Sequence, residues 1–174
     1  CGGGETGNAV QEQYRTLETA RLEAEVTSHT STDSRTFTLL CSYDADGDAV
    51  TTVTAPGELA GLTAVVSGTD MTLSSEGLQL PAGASLDICP ANCLPYLLRA
   101  LADGYVLEQS SEALDDTPCL RLALDTTAPG GGKVLCAVWL DAEGLFPRYA
   151  EFSRNEQVVL TVKLLAFTCT TSEG

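Results

Sequence analysis

The sequence predicts an α+β fold: a strongly curved antiparallel β-sheet of about ten strands, with two helices on its concave face. Three observations predict it. Short stretches of apolar and polar alternation recur through most of the 174 residues, and hairpin-length turns join nearly all of them, which makes antiparallel neighbours. Two stretches break this period-two rhythm with spacings of three and four, the signature of helices. The second of these is strongly apolar, so it needs a sheet face to lie against.

The first helix is expected from Asn8 to about Thr19, where Val10, Tyr14 and Leu17 recur among Gln and Glu. The period then changes, and Leu22, Ala24 and Val26 alternate with Glu23, Glu25 and Thr27 as a half-buried strand does. Arg35 to Tyr43 follows, with Phe37, Leu39, Cys41 and Tyr43 on one face, then Ala49 to Ala55. Between these two, Asp44, Asp46 and Asp48 mimic a calcium loop. The match fails, because the sixth position is Ala49 instead of glycine, the twelfth is Ala55 instead of glutamate, and strands flank it; a hairpin turn fits better.

Short strands are expected at Leu62 to Ser67, Asp70 to Ser74 and Gly77 to Leu80. The second helix follows: Asn92 suits its N-cap, Cys93, Leu94, Leu97, Leu98 and Leu101 form its apolar stripe, and Gly104 stops it. Strands then return at Tyr105 to Ser111, Cys119 to Asp125, Lys133 to Asp141, Leu145 to Ser153 and Gln157 to Thr168.

Composition limits what such a domain does. The chain is 44% hydrophobic and 19% charged, and no run approaches the roughly 20 apolar residues of a membrane helix. Its 24 Asp and Glu against 9 Lys and Arg leave a formal net charge of -15. That charge repels nucleic acid and anionic headgroups, so a charged partner would be basic. Cys1 followed by Gly2, Gly3 and Gly4 reads as the start of a mature bacterial lipoprotein. On this reading residues 1–9 are a lipid-anchor Cys and flexible tether, residues 10–174 are one domain, and the membrane is held through the N-terminal lipid alone, outside the cytoplasm.

Six cysteines remain. In an exported protein an even number permits disulfides, and Cys89 with Cys93 is the most plausible local pair; zinc and buried free thiols are the competing readings. Catalysis finds little support. The only histidine, His29, falls on the polar face of the first strand, and Asp115-Asp116 sits in an expected loop. No glycine-rich loop leads from a strand into a helix, so no phosphate cradle, and no cofactor or metal, is expected.

Several segments together resemble the lipoprotein-carrier superfamily of LolA and LolB. They are the helix running straight into a strand (Tyr14 to Thr27), Ala55-Pro-Gly-Glu-Leu-Ala-Gly-Leu62, Leu94-Pro-Tyr-Leu-Leu-Arg-Ala-Leu101, and Glu143-Gly-Leu-Phe-Pro147 followed by Arg148 to Phe152. The pattern is most similar to the Gram-positive lipoproteins of that group, the spore germination lipoprotein GerS among them. The resemblance implies a half-open barrel over an apolar cavity that accepts acyl chains in the carriers, or a fold that binds protein partners in other members. The extra cysteines and Cys1 depart from the carrier pattern. On the concave face the expected ligand contacts are Phe37, Leu39, Leu97, Leu101, Leu122, Val138, Leu160 and Val162, with Trp139 and Tyr149 near a rim. The expected function is a non-enzymatic lipoprotein that binds a lipid or acyl chain; the alternative is a module that engages a basic envelope protein or a second copy of itself.

Overall fold

The computed structural model describes residues 3–29, 34–55, 57, 60–67, 70–75, 78–84, 93–127 and 132–171. Cys1, Cys89 and the expected N-cap Asn92 lie outside these residues. Two meanders make up one sheet. The first is β1 (Leu17–His29), β2 (Ser34–Asp44), β3 (Ala49–Ala55), β4 (Thr63–Ser67), β5 (Asp70–Ser75) and β6 (Leu78–Ala84). The second is β7 (Tyr105–Leu114), β8 (Thr117–Thr127), β9 (Lys133–Asp141), β10 (Pro147–Arg154) and β11 (Gln157–Thr171). Helix α1 (Gly3–Arg15) precedes β1, and α2 (Cys93–Asp103) connects the meanders.

The eleven strands run in the order β6-β5-β4-β3-β2-β1-β11-β10-β9-β8-β7, all neighbours antiparallel. β6 and β7 are therefore the two edges, and the sheet is an open half-barrel. The connection from β6 to β7 contains α2, which therefore crosses from one edge toward the other. It packs against both β2 and β8, which would lie five strand spacings, about 24 Å, apart in a flat sheet, so the sheet curls around the helix.

Alternation decides which side chains fill that hollow. In β1, Ala20, Leu22, Ala24 and Val26 are buried while Arg21, Glu23 and Glu25 are exposed. Together with Leu39, Cys41, Leu122, Leu124, Val134, Cys136, Val138, Leu140, Ala150, Phe152, Leu160 and Val162, they form one core under Val10 and Tyr14 of α1 and the leucines of α2. Helix α1 begins and ends earlier than its spacing predicts. Leu17 sits three residues after Tyr14 and so fits a helix, but it already pairs with Thr171 in β1, and the last helical bond runs from Thr16 N to the Glu12 carbonyl at 3.1 Å. At its other end the helix reaches into residues 3–9, the stretch expected to be a flexible tether.

The turn between β9 and β10 docks α1. The Asp141 carboxylate accepts from Glu143 N at 2.8 Å and from Arg148 Nε at 2.9 Å, and Leu145 in this turn has φ of 59°. Gln13 Nε2 donates to the Gly144 carbonyl at 3.2 Å and Tyr14 Oη to the Leu145 carbonyl at 2.7 Å. Burial pushes the Tyr14 phenol far above its ordinary range, so it stays protonated and donating. Tyr14→Phe leaves that carbonyl without its donor and is expected to lower stability by about 1–2 kcal/mol, read from the urea midpoint.

Asp141 makes the same turn pH-sensitive. The backbone bond from Glu143, then the bond from Arg148, hold its carboxyl below the usual aspartate range. A folded value depressed below the unfolded one contributes stability that is present above the ordinary aspartate value and lost as pH falls through the folded value. In a carboxyl NMR titration Asp141 should therefore protonate only below the ordinary range, and Arg148→Gln should move its midpoint upward. An unchanged midpoint in that variant would remove Arg148 as a cause.

Candidate binding surfaces

The concave face is filled. Leu97 and Leu101 of α2 are 0% exposed, as are Leu122, Val138 and Val162; Leu39 and Leu160 are 1% and 2% exposed. All seven belong to one core cluster, and Phe37 packs half-buried at its margin with Val53. Eight of α2's eleven residues are buried, so the helix occupies the space a ligand would take.

Trp139 and Tyr149 are the correction. Val138 and Leu140 face the core, so Trp139 between them must point to the convex side, and Ala150 imposes the same on Tyr149. Both sit in a second cluster with Cys119, Ala137 and Leu114, their rings 5.4 Å apart. The guanidinium of Arg121 lies 5.3 Å over the Trp139 ring and shuts off its outer side. Arg121 also faces Glu108 at 3.8 Å and Glu112 at 3.9 Å.

Sequence reasoning missed this convex group, although its signal was there. Adjacent residues of a strand cannot share a face, so Val138 and Trp139 had to part. Tyr105, Val106 and Leu107 in succession also break alternation, and the register shift between Val106 and Glu108 is the resulting bulge.

The remaining candidates are structural. His29 Nε2 lies 3.2 Å from Thr161 Oγ1 on the convex side. The Asp44 side chain accepts from Asp46 N at 2.9 Å within the hairpin turn, while Asp115 and Asp116 are themselves a two-residue hairpin turn with φ of 50° and 66°. Among the described residues no three His, Cys, Asp or Glu side chains converge as metal ligands. Cys41, Cys119, Cys136 and Cys169 are free thiols. Burial pushes Cys41 up to about 11 and Cys136 well beyond the ordinary thiol range, so both are unreactive. Cys93 is buried in the first turn of α2, and its expected partner Cys89 lies outside the described residues. No described helix is long and apolar enough to cross a membrane.

An open curled antiparallel sheet with a helix across its hollow is a fold that this chain shares with several solved structures. A LolA superfamily protein from Nitrosomonas europaea matches with a TM-score of 0.51 at 13% identity, over 97% of this chain and 94% of that one. LprF from Mycobacterium bovis matches with a TM-score of 0.52 at 11% identity, over 98% and 94%. A DUF1329 family protein from Desulfovibrio piger gives a TM-score of 0.58 at 12% identity, over 98% and 94%. No family profile and no curated protein sequence matches the chain.

Proposed function

We propose that this chain is a non-enzymatic extracytoplasmic lipoprotein, attached through Cys1, that keeps the carrier fold but works by engaging a protein partner of the envelope on its outer surface. One observation carries this reading: Leu39, Leu122, Val138, Leu160 and Val162 of the sheet, with Leu97 and Leu101 of α2 packed on them, are only 0–2% exposed.

Reversible cross-linking in the native envelope tests the proposal. Recovery of the same partner in repeated preparations supports it, and a chain that cross-links to nothing reproducibly refutes it. Mass spectrometry of the membrane-extracted protein tests the anchor, since a diacylglycerol adduct must map to Cys1. The half-buried Phe37 and Val53, at the β2 and β3 flank of the core, favour acyl-chain binding as a second reading. Saturable displacement of a fluorescent fatty acid, with lipid carried through native mass spectrometry, would establish that reading over the first.

A further inference from the structure

The two edges of the sheet are not alike. β6 carries Pro81, paired in register with Thr72, and proline has no N–H for a further strand. β7 runs for ten residues without proline. Half of its N–H and C=O groups point away from β8, and among the described residues no backbone group pairs with that outer side. A long unpaired edge of this kind is a template for another strand.

Side chains on β7 restrict which strand fits. Tyr105 is 71% exposed and Leu107 51%, the most exposed large hydrophobic residues described. From Tyr105 a transverse row continues across the convex face through Asp125, Leu135, Ser153 and Val158, each the register partner of the next. Leu135 and Val158 are also exposed, so the edge opens onto an interrupted apolar strip. Next along β7, Glu108 and Glu112 project from one face about 13 Å apart. They share the single guanidinium of Arg121, which leaves a surplus of negative charge at the edge.

Resting on the partner-binding reading above, we propose that β7 takes up an extended, basic segment of the partner protein as a twelfth strand. Basic side chains four positions apart on that segment meet Glu108 and Glu112, and an apolar residue beyond them meets Tyr105 and Leu107. A second copy of β7 fits poorly. Antiparallel pairing centred on Ser110 would set Glu108 against Glu112 of the copy, like charge against like. Exposed carboxylates beside the apolar strip also oppose docking on a lipid surface.

Trp139, the chain's one tryptophan, lies under Arg121 and reports on this edge. The probe is a synthetic ten-residue peptide alternating lysine and valine, with a glutamate and valine peptide as control. The lysine peptide should bind saturably, change Trp139 emission and slow amide exchange at alternate positions of β7. Its affinity should fall at least tenfold in E108K/E112K and again on raising salt; Leu107→Ser should weaken it with the fold unchanged by circular dichroism. Equal binding to E108K/E112K, exchange protection at β6 instead, concentration-dependent dimers through β7, or adsorption to phosphatidylcholine vesicles that Tyr105→Ser abolishes would each overturn the proposal. An envelope partner whose cross-links map away from β7 overturns this assignment and leaves partner binding intact. Peptide binding as expected, with no envelope partner, refutes partner binding instead.

Discussion

Leu97→Asp is expected to prevent folding. Leu97 is fully buried in α2 against the sheet, and a carboxylate there loses the leucine's burial and gains no partner, at a combined cost of about 5–10 kcal/mol. That equals the whole stability of an ordinary domain. Circular dichroism and the soluble fraction on expression check it. The result bears directly on function: a Leu97→Asp protein that folds and unfolds cooperatively would mean the hollow is wet, and the filled-face argument would fail with it.

Phe152→Ala should leave a folded but weakened protein, less stable by about 3–5 kcal/mol. Phe152 is 0% exposed on β10, and Tyr96 of α2 meets it edge-on with ring centroids 5.7 Å apart. Tyr96 is held in turn by a hydrogen bond to Thr126, so it cannot collapse into the vacated space without breaking that bond. Phe152→Leu should recover a large part of the loss, because it restores volume though not the aromatic pair. Urea midpoints of the two variants give the comparison, and equal losses would show that the ring contact rather than volume dominates.

Much of this architecture was legible because it is written in local periods. Glu23 and Glu25 between Leu22, Ala24 and Val26 leave no choice of face, and Gly104 closes α2 as expected, its N–H reaching the Ala100 carbonyl at 2.7 Å. Where two periods agree, the sequence is silent: Tyr14 and Leu17 suit a helix, yet the chain turns into β1 between them. Helix α1 also begins at Gly3, in a run of glycines with low helix propensity, where no local signal in the sequence calls for a helix. Which strands become edges depends on β1 meeting β11, a pairing no local signal encodes. For that reason the free edge at β7 could be found only in the structure, and periodicity, which put α2 on the concave face, could not measure how completely the helix fills the hollow.

The meeting of β1 and β11 also sets the order in which the molecule can be made. Leu17 pairs with Thr171, so the seam joining the two meanders spans nearly the entire chain, whereas most other strand pairs are local hairpins. A chain emerging N-terminus first can form β1 to β6 early, but β1 keeps one side unpaired until the fifteen residues of β11 are free. Loop-closure entropy across that span makes the seam a late and slow event. Truncation within β11 should then leave two half-sheets with a shared exposed edge, prone to pairing with other chains in place of their own.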